Sequence, residues 1–155
     1  ACLKYKNSVV VRTNFFGCSP KGHNDTFAEW IYNSLSNNIP LTLFTDLFFS
    51  PIEVSCLVES LFPIFNSRFN GIINIAGSNR ISKYEFGHKL AKKFNIDGKL
   101  IRAGSMYNFN FIGKRQSDLS LSISKYKSLF NYQLPGINKG LTIFKKNIFD
   151  NKDQN

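Results

Sequence analysis

Three cysteines, two histidines and twenty basic side chains are the groups of this 155-residue chain from which chemistry could be built. Cys2, Cys18 and Cys56 are odd in number and far apart. They make neither a disulfide framework nor a Cys-x-x-Cys metal or redox pair, and a reducing cytoplasm is the setting they suit. His23 and His88 fall in different elements, so the spacing of a zinc motif is missing. Both read as ordinary loop or helix residues. Twenty Lys and Arg against ten Asp and Glu leave a net charge of +10. That excess favours anionic partners: phosphorylated small molecules, nucleic acid or an acidic membrane surface. The competing account is compositional, because in a chain rich in Lys, Asn, Ile and Phe lysine simply covers ordinary surface. Arg12 closes an apolar run and is expected to pair with a carboxylate at a sheet end. Asp46 reads as a turn residue ahead of Ser50-Pro51. Asn14 either bonds a ligand or ties down its own loop.

These groups must be positioned by strands and helices that alternate along the chain, which predicts an α/β fold. Residues 8–13, S-V-V-V-R-T, form a β-branched run without helical period and predict a strand buried in a parallel sheet. Residues 14–24 carry Gly17, Pro20 and Gly22 and predict a loop. Asp25 is expected to cap a helix whose stripe is Phe27, Trp30, Ile31 and Leu35, stopped by Asn37, Asn38 and Pro40. Leu41–Phe44 is a second strand. Ser50-Pro51-Ile52-Glu53 predicts a capping box ahead of a stripe of Val54, Leu57, Val58, Leu61, Phe62 and Phe65, with Pro63 kinking or shortening it. Gly71 opens a strand over 72–75. Ser82-Lys83-Tyr84-Glu85 is a second capping box, before Phe86, Leu90, Ala91 and Phe94, and Asp97-Gly98 ends that helix. Residues 99–102 suggest another strand. Residues 118–124 alternate like a strand, in competition with a helix over 124–130. The chain is expected to form one domain over 1–150 with a frayed polar tail over 151–155. At 43% hydrophobic and 15% aromatic it has the side chains for a core, and no apolar run approaches the roughly 18 residues of a membrane helix.

Read in order, several segments resemble the C-terminal half of the extended short-chain dehydrogenase/reductase family, and within it the dTDP-4-dehydrorhamnose reductases. V-V-V-R-T-N-F-F-G resembles the family's late Rossmann strand and the loop behind its active site. N-D-T-F-A-E-W-I resembles the next helix, and L-F-T-D-L-F-F-S-P-I resembles the D-x-x-x-x-P segment. G-I-I-N-I-A-G-S-N-R-I-S-K-Y-E-F-G resembles the substrate-domain stretch, and K-R-Q-S-D-L-S-L the C-terminal Arg-Pro segment, with Gln116 in place of proline. The match covers about residues 8–130.

The resemblance implies the C-terminal part of an NAD(P)-binding Rossmann-type fold, with a few short strands packed against helices. It implies a nucleotide-sugar substrate and, in the complete enzyme, NADP. It sets Asn14, Phe15, Asn24 and Arg115 on the substrate side. Arg115 would face the nucleotide diphosphate, for which a guanidinium fork is suited, or would be a solvated charge beside Lys114. Phe15 would stack on a sugar or base, or pack in the core. Asn24 and Phe27 match the start of the substrate-side helix, and the stripe puts Phe27 in the core. The cofactor-binding G-x-x-G-x-x-G turn does not occur here, and none of the six tyrosines has Lys four residues on. No catalytic, cofactor-binding or metal residue is therefore assigned. The expectation is a substrate-binding half that is inactive alone, its Rossmann half or a second copy being the expected partner. A non-catalytic regulatory relative is the alternative. A basic nucleic-acid binder ranks last, since it needs aromatics interleaved with Lys and Arg on an exposed sheet face.

Overall fold

The computed structural model describes residues 5, 7–20, 23–109, 113 and 115–152. Cys2 and Lys114 lie outside them. Strands are short and pair two by two. β1 (Val9–Arg12) runs parallel to β6 (Gly71–Asn74), with Val9 opposite Gly71. β3 (Leu41–Phe44) runs parallel to β8 (Ile101–Gly104). β2 (Phe15–Phe16) pairs parallel with β5 (Ile52–Glu53), and β4 (Phe48–Phe49) antiparallel with β7 (Ile81–Ser82). Parallel strands connected through helices are the α/β arrangement that the sequence predicts.

Around these pairs lie α1 (Phe27–Ser36), α2 (Val54–Phe65), α3 (Lys83–Phe94), α4 (Ser124–Phe130) and α5 (Ile137–Lys152). One apolar cluster joins α1, β3, α3 and α5 through Ile31, Leu35, Leu43, Phe86, Leu90, Leu141 and Phe144. Phe86 is its hub, with Phe16, Phe49 and Phe27 rings 5.2, 5.5 and 5.7 Å away. A second cluster gathers Cys56, Ile64, Ile73, Ile75, Tyr126 and Leu134 between α2, β6 and α4.

Several expectations are corrected. The cap of α1 is Thr26, not Asp25: its hydroxyl accepts from the Glu29 amide while the Glu29 carboxylate accepts from the Thr26 amide. Asp25 instead accepts from the Asn33 side chain. Ser50 and Pro51 lie ahead of β5, outside the helix, and Glu53 caps α2 by accepting from the amides of Ser55 and Cys56. Pro63 sits inside α2 without breaking it. The α2 stripe is not wholly buried, for Val58, Phe62 and Phe65 stay 51%, 58% and 72% exposed. β1 is only half-buried, because among the described residues no strand pairs with its other edge. The 99–102 strand falls at Ile101–Gly104. Beyond one bridge from Phe48 to Asp118, residues 118–123 form no strand, and α4 takes the following turns. A further helix, α5, reaches Lys152, and Ile137, Leu141, Phe144 and Ile148, all buried, are its inward stripe; of the tail expected over 151–155, residues 153–155 lie outside the described residues. Among the described residues no helix is long and apolar enough to cross a membrane.

Candidate functional site

Where β2, β4 and the starts of α1, α2 and α3 meet, the chain leaves a largely apolar cleft of about 320 Å³. Asn14, Phe15, Cys18, Phe27, Phe49 and Lys83 are among its lining residues. The adjoining Ser19 amide donates to both Glu29 carboxylate oxygens at 3.0 Å, and the Thr26 hydroxyl donates to the Gly17 carbonyl at 2.7 Å. These bonds tie the Gly-Cys-Ser loop onto α1. Opposite, the Ile52 amide donates to the Asn14 carbonyl at 2.9 Å, and the Ser50 amide donates to the Asn14 side-chain oxygen at 3.3 Å. Asn14 thus clamps the Ser-Pro-Ile segment rather than forming a local Asx turn. Gly77 makes that segment possible: its amide donates to the Ser50 carbonyl at 3.1 Å, and a Cβ there would lie 2.0 Å from the Pro51 carbonyl oxygen.

Of the four residues expected on the substrate side, two share this cleft. Asn14 is on its wall. Phe15 is 64% exposed at its edge, and it is Phe16, one residue on, that enters the core. Arg115 lines a separate open hollow with Met106, Tyr107, Gln116 and Asp118. The segment from Ser117 to Leu119 connects the two hollows. It is held to β4 by the Phe48 amide donating to Ser117 at 2.8 Å and the Leu119 amide donating to Phe48 at 2.9 Å. Arg80, stacked 3.7 Å over the Phe48 ring, pairs with Asp118 at 2.9 Å and fixes it further. Asn24 is exposed ahead of α1 and lines neither hollow. Phe27 belongs half to the core and half to the cleft wall.

The sequence reading missed Lys83. It was recognised only as part of a capping box, yet its Nζ lies 3.4 Å over the Phe49 ring and 4.1 Å over the Phe27 ring. Burial pulls the pKa of its ammonium down to about 8. The visible signal was a lysine between Ser82 and a helix whose other early residues face a Phe cluster. Burial first, then the carboxylates of Glu29 and Glu53, push the Cys18 thiol up to about 11, which lowers its thiolate fraction at neutral pH. Tyr126 donates its hydroxyl to the Ser60 carbonyl at 2.7 Å, and burial chiefly, with Tyr132, raises it to about 12. Such a tyrosine is a poor general acid or base.

Other expectations fall outside the cleft. Asp46 receives hydrogen bonds from the Ser105 hydroxyl and the Met106 amide. What desolvation it has opposes ionisation, but these bonds outweigh it and hold the carboxyl below its ordinary value. It anchors the turn after β8 rather than the one before Ser50. Arg12 is exposed, and no carboxylate pairs with it among the described residues. His23 is exposed, while His88 packs edge-on against Tyr84 at 4.5 Å. Cys18 and Cys56 are free thiols. Among the described residues no cluster of His, Cys, Asp and Glu could hold a metal.

A dinucleotide pyrophosphate needs open backbone N–H groups at a strand-to-helix junction. At α1, α2 and α3 the caps take part of those groups: Glu29 with Thr26, Glu53 with Ser55 and Cys56, and Glu85 with Ser82. Three carboxylates at these three helix starts repel a pyrophosphate, so the starts of α1, α2 and α3 do not fit the cradle of a nicotinamide dinucleotide.

Comparison with known proteins agrees with the fold. The chain is similar to dTDP-4-dehydrorhamnose reductase of Bacillus anthracis in complex with NADP, at 18% identity and a TM-score of 0.77 over 88% of this chain and 47% of that one. It is similar to the Clostridium acetobutylicum enzyme of the same name, at 17% identity and a TM-score of 0.79 over 91% of this chain and 49% of that one. A UDP-glucuronic acid 4-epimerase of Bacillus cereus, in complex with UDP-glucuronic acid and NAD, matches at 17% identity and a TM-score of 0.69, over 92% and 45% of the two chains. The chain thus spans about half the length of these structures. No curated protein matches it. The RmlD substrate binding domain family matches residues 2–148, and with that extent the chain belongs to this family.

Proposed function

We propose that this chain is the sugar-nucleotide-binding half of an NADPH-dependent reductase of the dTDP-4-dehydrorhamnose reductase type, and that it acts with a Rossmann half it does not itself contain. The observation that carries this reading is the apolar cleft walled by Asn14 and edged by the exposed ring of Phe15. A flat ring over an apolar floor suits a sugar face or base, and removes water from it. Arg115, in the adjoining hollow, is the cation for the diphosphate, because a guanidinium bonds two phosphate oxygens at once. Asn24, beside the start of α1, is the fourth residue of that side. In the complete enzyme NADP supplies the hydride. The residues here bind and orient the sugar nucleotide and move no proton.

The occupied helix starts favour a second reading, a relative that keeps the fold and binds a partner without catalysis. The nucleic-acid reading loses support. The large exposed aromatic side chains, Tyr5, Phe15, Trp30, Phe62, Phe65, Tyr107, Phe109 and Phe149, lie on helices α1, α2 and α5, in turns, or on a two-residue strand rather than across a sheet face.

Calorimetric titration with dTDP separates these readings. The sugar-nucleotide reading expects binding that Arg115→Ala weakens by about 1.5–3 kcal/mol, the scale of a charge-assisted hydrogen bond. It also expects no oxidation of NADPH by the chain alone with a dTDP-4-keto-6-deoxysugar. No heat of binding, or an unchanged affinity in Arg115→Ala, would overturn it. Turnover above a no-enzyme control would overturn the need for a second half.

A further inference from the structure

Lys83 begins α3 at the inner side of the cleft. Its ammonium rests on the faces of Phe49 and Phe27, and among the described residues no oxygen accepts a hydrogen bond from it. Ring faces attract a cation but leave its three N–H donors unused. Lys83 is only partly buried and its Nζ stays open to the cleft, so an anion entering there meets a cation whose donors no described protein oxygen occupies. Carboxylates around the cleft do not occupy them: Glu29 is taken up by the Ser19 and Thr26 amides, Glu53 by the Ser55 and Cys56 amides, and Glu85 by the Ser82 amide. The remaining lining offers a thiol held neutral, an amide clamped to Ser50, and aromatic rings.

We propose that Lys83 is the anion-recognising group of this cleft, and that the part of the ligand seated between Phe15, Phe27 and Phe49 carries a negatively charged oxygen. That oxygen belongs to a phosphate of the nucleotide or to a carboxylate on the sugar. The inference rests on the sugar-nucleotide reading for the ligand's identity, but not for the anion. It makes Lys83 a specificity determinant: a ligand that leaves the ammonium without an acceptor is discriminated against by the unpaired charge.

The cleft carries its own reporter. Trp30 is the single tryptophan, and its ring stacks on Phe27 at 6.1 Å. Tryptophan fluorescence of the 155-residue chain can be titrated with pyrophosphate, glucuronate, dTDP, UDP-glucose and UDP-glucuronate, for wild type, Lys83→Met and Lys83→Arg. A cooperative melt establishes that each variant is folded, and Lys83→Gln replaces Lys83→Met if the latter is not. Binding that Lys83→Met weakens at least ten-fold and Lys83→Arg largely retains supports the proposal. If UDP-glucuronate exceeds UDP-glucose at least ten-fold and the preference vanishes in Lys83→Met, the anion is the sugar carboxylate. If pyrophosphate and dTDP carry the whole dependence, it is phosphate. Nucleotide-sugar binding that Lys83→Met leaves intact overturns this inference and keeps the sugar-nucleotide reading. Lys83-dependent binding of pyrophosphate or glucuronate without any nucleotide binding does the reverse. A folded chain that answers to no anion overturns both.

Discussion

Two helices of this chain offer an apolar stripe of similar quality, and only one of them covers it. In α3, Phe86, Leu90, Ala91 and Phe94 are all buried, against α1, β3 and α5. In α2, Cys56, Ser60 and Ile64 face inward while Val58, Phe62 and Phe65 stand in solvent, next to a β1 whose outer edge pairs with nothing described. A shallow hollow lined by Val9, Val11, Leu61, Phe65 and Phe69 joins the two. The periodicity of a helix says that a face is apolar, not whether the chain itself supplies the cover. An open sheet edge beside an apolar patch is a surface that soluble proteins keep small or conceal.

The contrast can be broken hardest at its covered end. Phe86→Ala removes the ring that three other phenylalanines touch and is expected to destabilise the chain by about 3–5 kcal/mol, read as a lower urea midpoint. A loss under 1 kcal/mol would mean that the α3 core is no better packed than the α2 face. The next effect lies between the two regions, in the cleft. Lys83 ordinarily titrates at 10.5 and is pulled to about 8 in the fold by burial. Between those values the unfolded chain binds the extra proton, so this group's contribution to stability rises with pH. It is a penalty of about 2–3 kcal/mol below pH 8 that is relieved by 10.5. Cys18, raised to about 11, works in the opposite sense, so the reading is the difference between wild type and Lys83→Met. The stability gap between them should change by that amount from pH 7 to 10.5, and a constant gap would place the ammonium in water. The smallest effect sharpens the comparison from its open end. Phe62→Ser, at a side chain 58% exposed, should alter stability by less than about 0.5 kcal/mol while reducing self-association in sedimentation velocity. A large destabilisation there would show α2 to be covered after all.

Most of the architecture could be read from local rules. The capping box at Ser82, the β-branched run that became β1 and the stripe of α3 depend on neighbours three or four residues away, which a sequence displays directly. Failures came where a distant group decided. Glu53 rather than Ser50 caps α2 because Ser50 is drawn to Asn14 and Gly77. The stretch over 118–123 alternates like a strand but has β4 as its neighbour for a single bridge only. The site was half legible. Asn14 and Phe15 follow from the motif around the first strand. Lys83 was hidden because its surroundings, Phe27 and Phe49, are far off in sequence, and α5 because its buried residues are spread thinly among lysines and asparagines.

The two longer strand pairs carry one further consequence. β1 meets β6, and β3 meets β8, across about 60 residues each, and the two spans overlap. The segment over residues 41–71 belongs to both loops. Contacts this remote in sequence are slow to find, because the chain entropy of closing the loop is lost before any contact repays it. A ribosome must release most of the segment before either pair can form, so the nascent chain spends its synthesis with these strands unmatched. Cleavage between Phe44 and Gly71 cuts the covalent connection within both pairs at once.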